Sequence, residues 1–173
     1  MNIDEARASI SAAGQPYEMG IVECFRGPVP GFINGPETLR DLFKQNLGDE
    51  TFLVYNDERL SFSETYSKAS QIAQVLHLQF DIQKGDRVAI SMRNYPEWIL
   101  AFTAITSIGA IAVGMNSLWL PDEMEYGLSD CGAKLLFADD ERIERISHVS
   151  SSLSLHIISV RTSRIINRPV FRL

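Results

Sequence analysis

RVAISMRNYPEW, residues 87–98, decides the fold. Its first half is a short apolar run that reads as a strand, RVAISM (87–92). A polar loop follows, and then a helix with Pro96 in its first turn. In α/β proteins the junction between a parallel strand and the next helix is where nucleotide phosphates usually sit. This junction has no glycine and no lysine or serine poised for a phosphate, and its proline removes a backbone donor. The residues nearest the expected cleft are Asn94 and Tyr95. Asn94 also has the chemistry of a helix cap, with Glu97 three residues later.

Downstream, strands and helices alternate. Trp98, Phe102, Ile105 and Ile108 have the spacing of one helix face, and Gly109 is a natural stop. AIAVGM (110–115) reads as a buried strand. PDEMEYGLSDCG (121–132) reads as a helix begun by proline and acids and ended by Gly132. KLLFAD (134–139) is a strand, DERIERISHV a helix and LHIISV (155–160) a strand. Upstream, ETLRDLFKQN (37–46) predicts a short helix, and TFLVYNDERLSF a β-hairpin. Ser63 is placed to cap a helix with Tyr66, Ala69, Ile72, Ala73, Leu76 and Phe80 on one face. The predicted fold class is therefore α/β, a parallel sheet flanked by helices with a short β-hairpin before it. The expected division is an irregular, Gly/Pro-rich lead-in over 1–35, the α/β unit over 36–160 and an uncertain tail over 161–173.

Composition narrows the function. The chain has 173 residues, 45% hydrophobic and 22% charged, as in an ordinary globular protein. Its net charge of −6 argues against general nucleic-acid binding. Charge is uneven: residues 1–141 carry 10 basic against 21 acidic side chains, whereas 142–173 carry six arginines and one acid. Such a skew marks either a basic tail for an anionic partner or a last helix and strand with spaced arginines. Cys24 and Cys131 lack partner spacing, so neither a disulfide framework nor a zinc site is expected, and a reduced, cytoplasmic setting fits. The N-terminus lacks the apolar core of a signal peptide. Trp98 to Pro121 is uncharged, but Thr103, Thr106, Ser107, Gly109 and Asn116 interrupt it, so no transmembrane span is expected.

No catalytic constellation is visible. Candidates at the strand ends are Arg93, Asn94, Tyr95, Asn116, Ser117, Asp139, Asp140 and Glu141. They match neither G-x-G-x-x-G nor G-x-x-x-x-G-K-[ST]. Asp139–Asp140 reads as a solvated helix start rather than a Mg²⁺ site, since a receiver-like site would need a later lysine and the last is Lys134. His77, His148 and His156 are scattered, and no G-x-S-x-G is present. No catalytic, cofactor-binding or metal-ligating residue is assigned.

Three pieces carry a family resemblance: RLSFSETYSKASQIAQVL, GDRVAISMRNYPEWILAFTAITSIGAIAVGMN and PDEMEYGLSDCGAKLLFADDE. In that order and spacing, Thr51 to Ile146 resembles the N-terminal part of the adenylate-forming acyl-CoA synthetases, the AMP-binding superfamily. MRNYPEW and the helix after it look nearest to bacterial fatty-acyl-CoA ligases. The resemblance implies the first, N-terminal subdomain of the synthetase fold. It also implies a parent enzyme that uses ATP, Mg²⁺, CoA and a carboxylic acid. In the family the Ser/Thr/Gly-rich phosphate loop, the Mg²⁺-binding acid, the ribose-binding Asp and the catalytic lysine all follow this region, so none transfers to a residue here. The expectation is an N-terminal fragment, inactive alone, with a C-terminal half missing. The alternatives are a non-catalytic α/β binding or interaction module, or one half of a split enzyme.

Overall fold

The computed structural model describes residues 2–147, 153, 155–162 and 170–172. In chain order the elements are α1 (Ile3–Ile10), β1 (Met19–Cys24), β2 (Gly27–Phe32), α2 (Leu39–Gln45), β3 (Thr51–Tyr55), β4 (Glu58–Ser61), α3 (Phe62–Phe80) and β5 (Arg87–Ser91). They continue with α4 (Pro96–Ser107), β6 (Ile111–Gly114), α5 (Pro121–Cys131), β7 (Leu135–Asp139), α6 (Asp140–Ser147), β8 (His156–Val160) and β9 (Val170–Arg172). The last five strands form one parallel sheet in the order β6-β5-β7-β8-β9, as the alternation predicts.

Strand parity builds two cores. Val88, Ile90, Leu135, Phe137, Ile158 and Val160 face α3 and α4, meeting Ala69, Ile72, Leu76, Leu100, Ala104 and Ile105. Ala89, Leu136, Ala138 and Ile157 face α5 and α6, meeting Met124, Leu128, Ile143 and Ile146. All of β7 is buried, so it has no polar alternation, as a central parallel strand requires. On α4 the deepest residues are Leu100, Ala101, Ala104 and Ile105. Trp98, Phe102 and Ile108 only flank that core, so the buried stripe is rotated from the face read in the sequence. Small side chains at 101 and 104 let the helix approach the sheet. No described helix is long and apolar enough to cross a membrane.

Several expectations need correcting. Residues 1–35 are not irregular. Asn2 and Glu5 form a capping box on α1, and β1 and β2 pair as an antiparallel hairpin from Met19↔Phe32 to Cys24↔Gly27. Pro28 and Pro30 do not break β2, because they stand opposite Glu23 and Ile21, where the ladder needs no N–H. The α3 cap is Ser61, not Ser63. Its side chain accepts from the Glu64 N–H, and Glu64 returns a bond to the Ser61 N–H. In the tail, β9 adds to β8 in parallel, Ile157 opposite Val170. The β3–β4 hairpin turns through Asn56, whose φ of +49 suits asparagine. Gly132 ends α5 with φ +61.

Phe137 is fully buried in the central strand. Phe137→Ala is expected to cost about 3–5 kcal/mol, measured as a lower urea midpoint at unchanged slope.

Candidate functional site

β5 and β7 are neighbours, yet β5 leads into α4 on one face and β7 into α6 on the other. Adjacent strands whose connections leave in opposite directions open a crevice at their carboxyl ends, the usual ligand site of an open α/β sheet. Here protein groups fill it. Asp139 is 4% exposed, so it is not the solvated helix start expected from sequence. One of its oxygens accepts the backbone N–H of Arg93 at 3.0 Å, and the other accepts that of Arg142 at 3.2 Å, capping α6. The loop after β5 therefore donates its N–H to an internal carboxylate.

The Arg142 side chain, 0% exposed, completes the closure. Its guanidinium lies 3.3 Å from Asp139 and 2.7 Å from Glu141. It donates to the Ser117 carbonyl from Nε at 3.0 Å and from Nη2 at 2.5 Å, which ties down the loop after β6. Arg145 reaches the Ser117 and Trp119 carbonyls and pairs with Glu141. Burial pushes the Glu141 carboxyl up, but Arg142, Arg145 and Arg93 together hold it below its ordinary value. Thr162 donates its hydroxyl to Asp140.

Asn94 and Tyr95 lie beside this closure, in a groove of about 220 Å³ shared with Leu53, Val54, Tyr55, Pro96, Trp98 and Ile99. Asn94 is not the cap of α4. The cap position is Tyr95, which makes no side-chain cap bond, and Pro96 at the first helical position has no N–H to satisfy. Burial pushes the Tyr95 hydroxyl above its ordinary pKa. The groove wall is held by Arg161, which sequence reading did not single out. Its guanidinium lies 4.8 Å from the Tyr55 ring centre and 5.3 Å from that of Tyr95. It bonds Glu58 at 2.7 and 2.9 Å and both oxygens of Glu97 at 3.0 Å. Residue 161 has φ +50, a conformation that costs a non-glycine residue about 1–2 kcal/mol and that the clamp sustains. No local spacing links 55, 58, 95, 97 and 161, so the sequence carried no signal for it.

Three of the six C-terminal arginines are thus internal ties, which favours the structural reading of that charge skew. Arg164, Arg168 and His148 lie outside the described residues. Among the described residues no group of three His, Cys, Asp or Glu could hold a metal ion.

The strand ends thus form a doubly wound switch point that the chain's own Asp139 and Arg142 close. A family model described as AMP-binding enzyme matches residues 42–168. The chain belongs to that family and corresponds to the amino-terminal part of its adenylate-forming fold. The long-chain-fatty-acid–CoA ligase of Escherichia coli O6:H1 is 32% identical over 113 residues, covering 62% of this chain and 20% of that protein. The acetyl-coenzyme A synthetase of Xylella fastidiosa is 29% identical over 139 residues, covering 73% and 21%. Among solved structures, the anthranilate CoA ligase AuaEII in complex with anthranoyl-AMP superposes with a TM-score of 0.71 at 29% identity, covering 75% of this chain and 26% of that one. The chain spans about a fifth of the length of these curated relatives.

Arg142→Ala leaves Asp139 buried without its countercharge and is expected to cost about 3–5 kcal/mol in urea unfolding. The Glu58 clamp is also expected to show in pH dependence. The hydrogen bond from Arg161 holds the Glu58 carboxyl below its ordinary 4.5. A depressed carboxyl stabilises the fold above its unfolded pKa and loses that contribution as pH falls through the folded value. Protection of β3–β4, taken relative to the intrinsic exchange rate at each pH, is therefore expected to fall below about pH 4.5 in the native chain, and much less so in Glu58→Gln.

Proposed function

We propose that the chain is the amino-terminal unit of an ATP-dependent ligase that activates a carboxylic acid, a fatty acid by preference, as an acyl-adenylate and passes it to CoA. The family match over residues 42–168 carries this reading. The long-chain-fatty-acid–CoA ligases among the relatives, from Escherichia coli and Haemophilus influenzae, support the fatty acid. Two cysteines without a disulfide suit a cytoplasmic enzyme.

Within such an enzyme these residues act as scaffold. Nucleotidyl transfer needs donors and cations aimed at developing phosphate charge. Of the cations at the strand ends, Arg142 and Arg145 are bound to internal carboxylates and carbonyls, and the half-exposed Arg93 pairs with Glu141. The best-placed backbone donor, the Arg93 N–H, already serves Asp139. ATP, Mg²⁺ and CoA would therefore be held by residues of the full-length protein outside this unit, and the 173 residues alone make no adenylate. Asn94 and Tyr95 wall a groove beside the strand ends and contribute shape rather than chemistry.

Pyrophosphate exchange with a panel of acetic, long-chain and aromatic acids tests this. The chain alone is expected to give no exchange. Exchange is expected on adding the carboxyl-terminal four fifths of a homologous ligase, strongest with long-chain acids. Exchange by the chain alone would overturn the scaffold role, and exchange only with aromatic acids would overturn the fatty acid.

A further inference from the structure

We propose that the outer edge of β1 pairs with the β1 of a second copy of this chain, making a closed dimer. The argument starts from ladder parity. Ile33 donates its N–H to the Glu18 carbonyl at 3.0 Å, so Glu18, Gly20, Val22 and Cys24 turn their backbone groups toward β2. Met19, Ile21 and Glu23 then turn theirs outward. The same parity sends the backbone of Pro28 and Pro30 outward from β2, since they oppose Glu23 and Ile21. Proline has no N–H to offer there, so the β2 edge cannot be extended.

The β1 edge has no such block. Among the described residues no hydrogen bond reaches its outward groups, and Met19 and Ile21 are 53% and 68% exposed. A lone two-stranded hairpin is marginal in water, and more strands on an apolar face stabilise it. Here that face is built from Met19 beside Phe32 and Ile21 beside Pro30.

The strand is complementary to itself. Antiparallel pairing centred on Ile21 puts Ile21 opposite Ile21, Met19 of one copy opposite Glu23 of the other, and Glu18 opposite Cys24. All three outward residues find outward partners, and no like charges face each other. The contact is isologous, and both outer edges of the resulting four-stranded sheet are proline-blocked β2 strands. Assembly stops at two.

Sedimentation of the full chain over rising concentration is expected to show a dimer. Ile21→Pro removes an outward N–H and leaves the inward ladder intact, so it is expected to halve the mass while Gly20 and Val22 keep their exchange protection. As an arm independent of proline tolerance, Cys24 and Cys131 are replaced by serine, and a single cysteine is placed at 21 or 23. A short bis-maleimide is expected to join copies at 21, where the residue meets itself, and not at 23. A chain that stays monomeric overturns the proposal. So does a dimer that cross-links equally at both positions, or a β1 edge that pairs only with a different segment or protein.

Discussion

The buried Asp139–Arg142 pair is the contact on which the parallel unit depends. Two charges removed from water need every lone pair and proton satisfied, because an unmatched one costs several kcal/mol. Here the matching partners come from three connections. Asp139 takes backbone N–H groups from the loop after β5 and from the first turn of α6, and Arg142 holds the carbonyl of Ser117 after β6. The pair therefore fixes how three strand ends sit relative to one another. It does so at the point where a ligand would otherwise supply the charge. The β5 loop has no use for a glycine or lysine because its anion is built in.

Much of the fold was legible because its signals are local. Val88–Ile90 and Leu135–Ala138 are apolar without alternation, which separates a central parallel strand from a half-exposed one. Pro96, Pro121 and Gly132 mark helix ends through signals within one turn, whereas the equally local Ser61–Glu64 box was passed over for Ser63. What was not legible depends on distant partners. Proline at 28 and 30 reads as irregular chain unless the pairing register is known. Asp139 looks like an ordinary solvated helix start until Arg142 is folded beneath it, and the Arg161 clamp joins residues that no spacing rule connects. Asn94 and Tyr95 do lie together by the strand ends, but the cap chemistry expected of Asn94 is made unnecessary by Pro96.

Burial also falls off across the sheet. β7 is buried along its length, while the edge strand β6 leaves Ile111 49% exposed, and Leu118 and Leu120 follow it into solvent. A second apolar groove, about 330 Å³, opens between α2, the β3–β4 hairpin and the α3–α4 pair, lined by Leu42, Phe43, Phe52, Phe62 and Phe102. Phe52 and Phe62 stack at 4.3 Å there, and Phe52 remains 43% exposed. A unit of about a fifth of its relatives' length carries its own core and still shows apolar surface on two sides.

The Arg161 clamp bears on how the chain is made. Its bond to Glu58 spans 103 positions, and its bond to Glu97 spans 64. On a ribosome the hairpin and α4 emerge long before their cation does. Until residue 161 has been made, Glu58 and Glu97 lack the cation that both of them bind in the finished fold. The β3–β4 hairpin can already pack on α3 and α4, through Phe52 on Phe62 and Tyr55 on Tyr95, and Arg161 joins that assembly last.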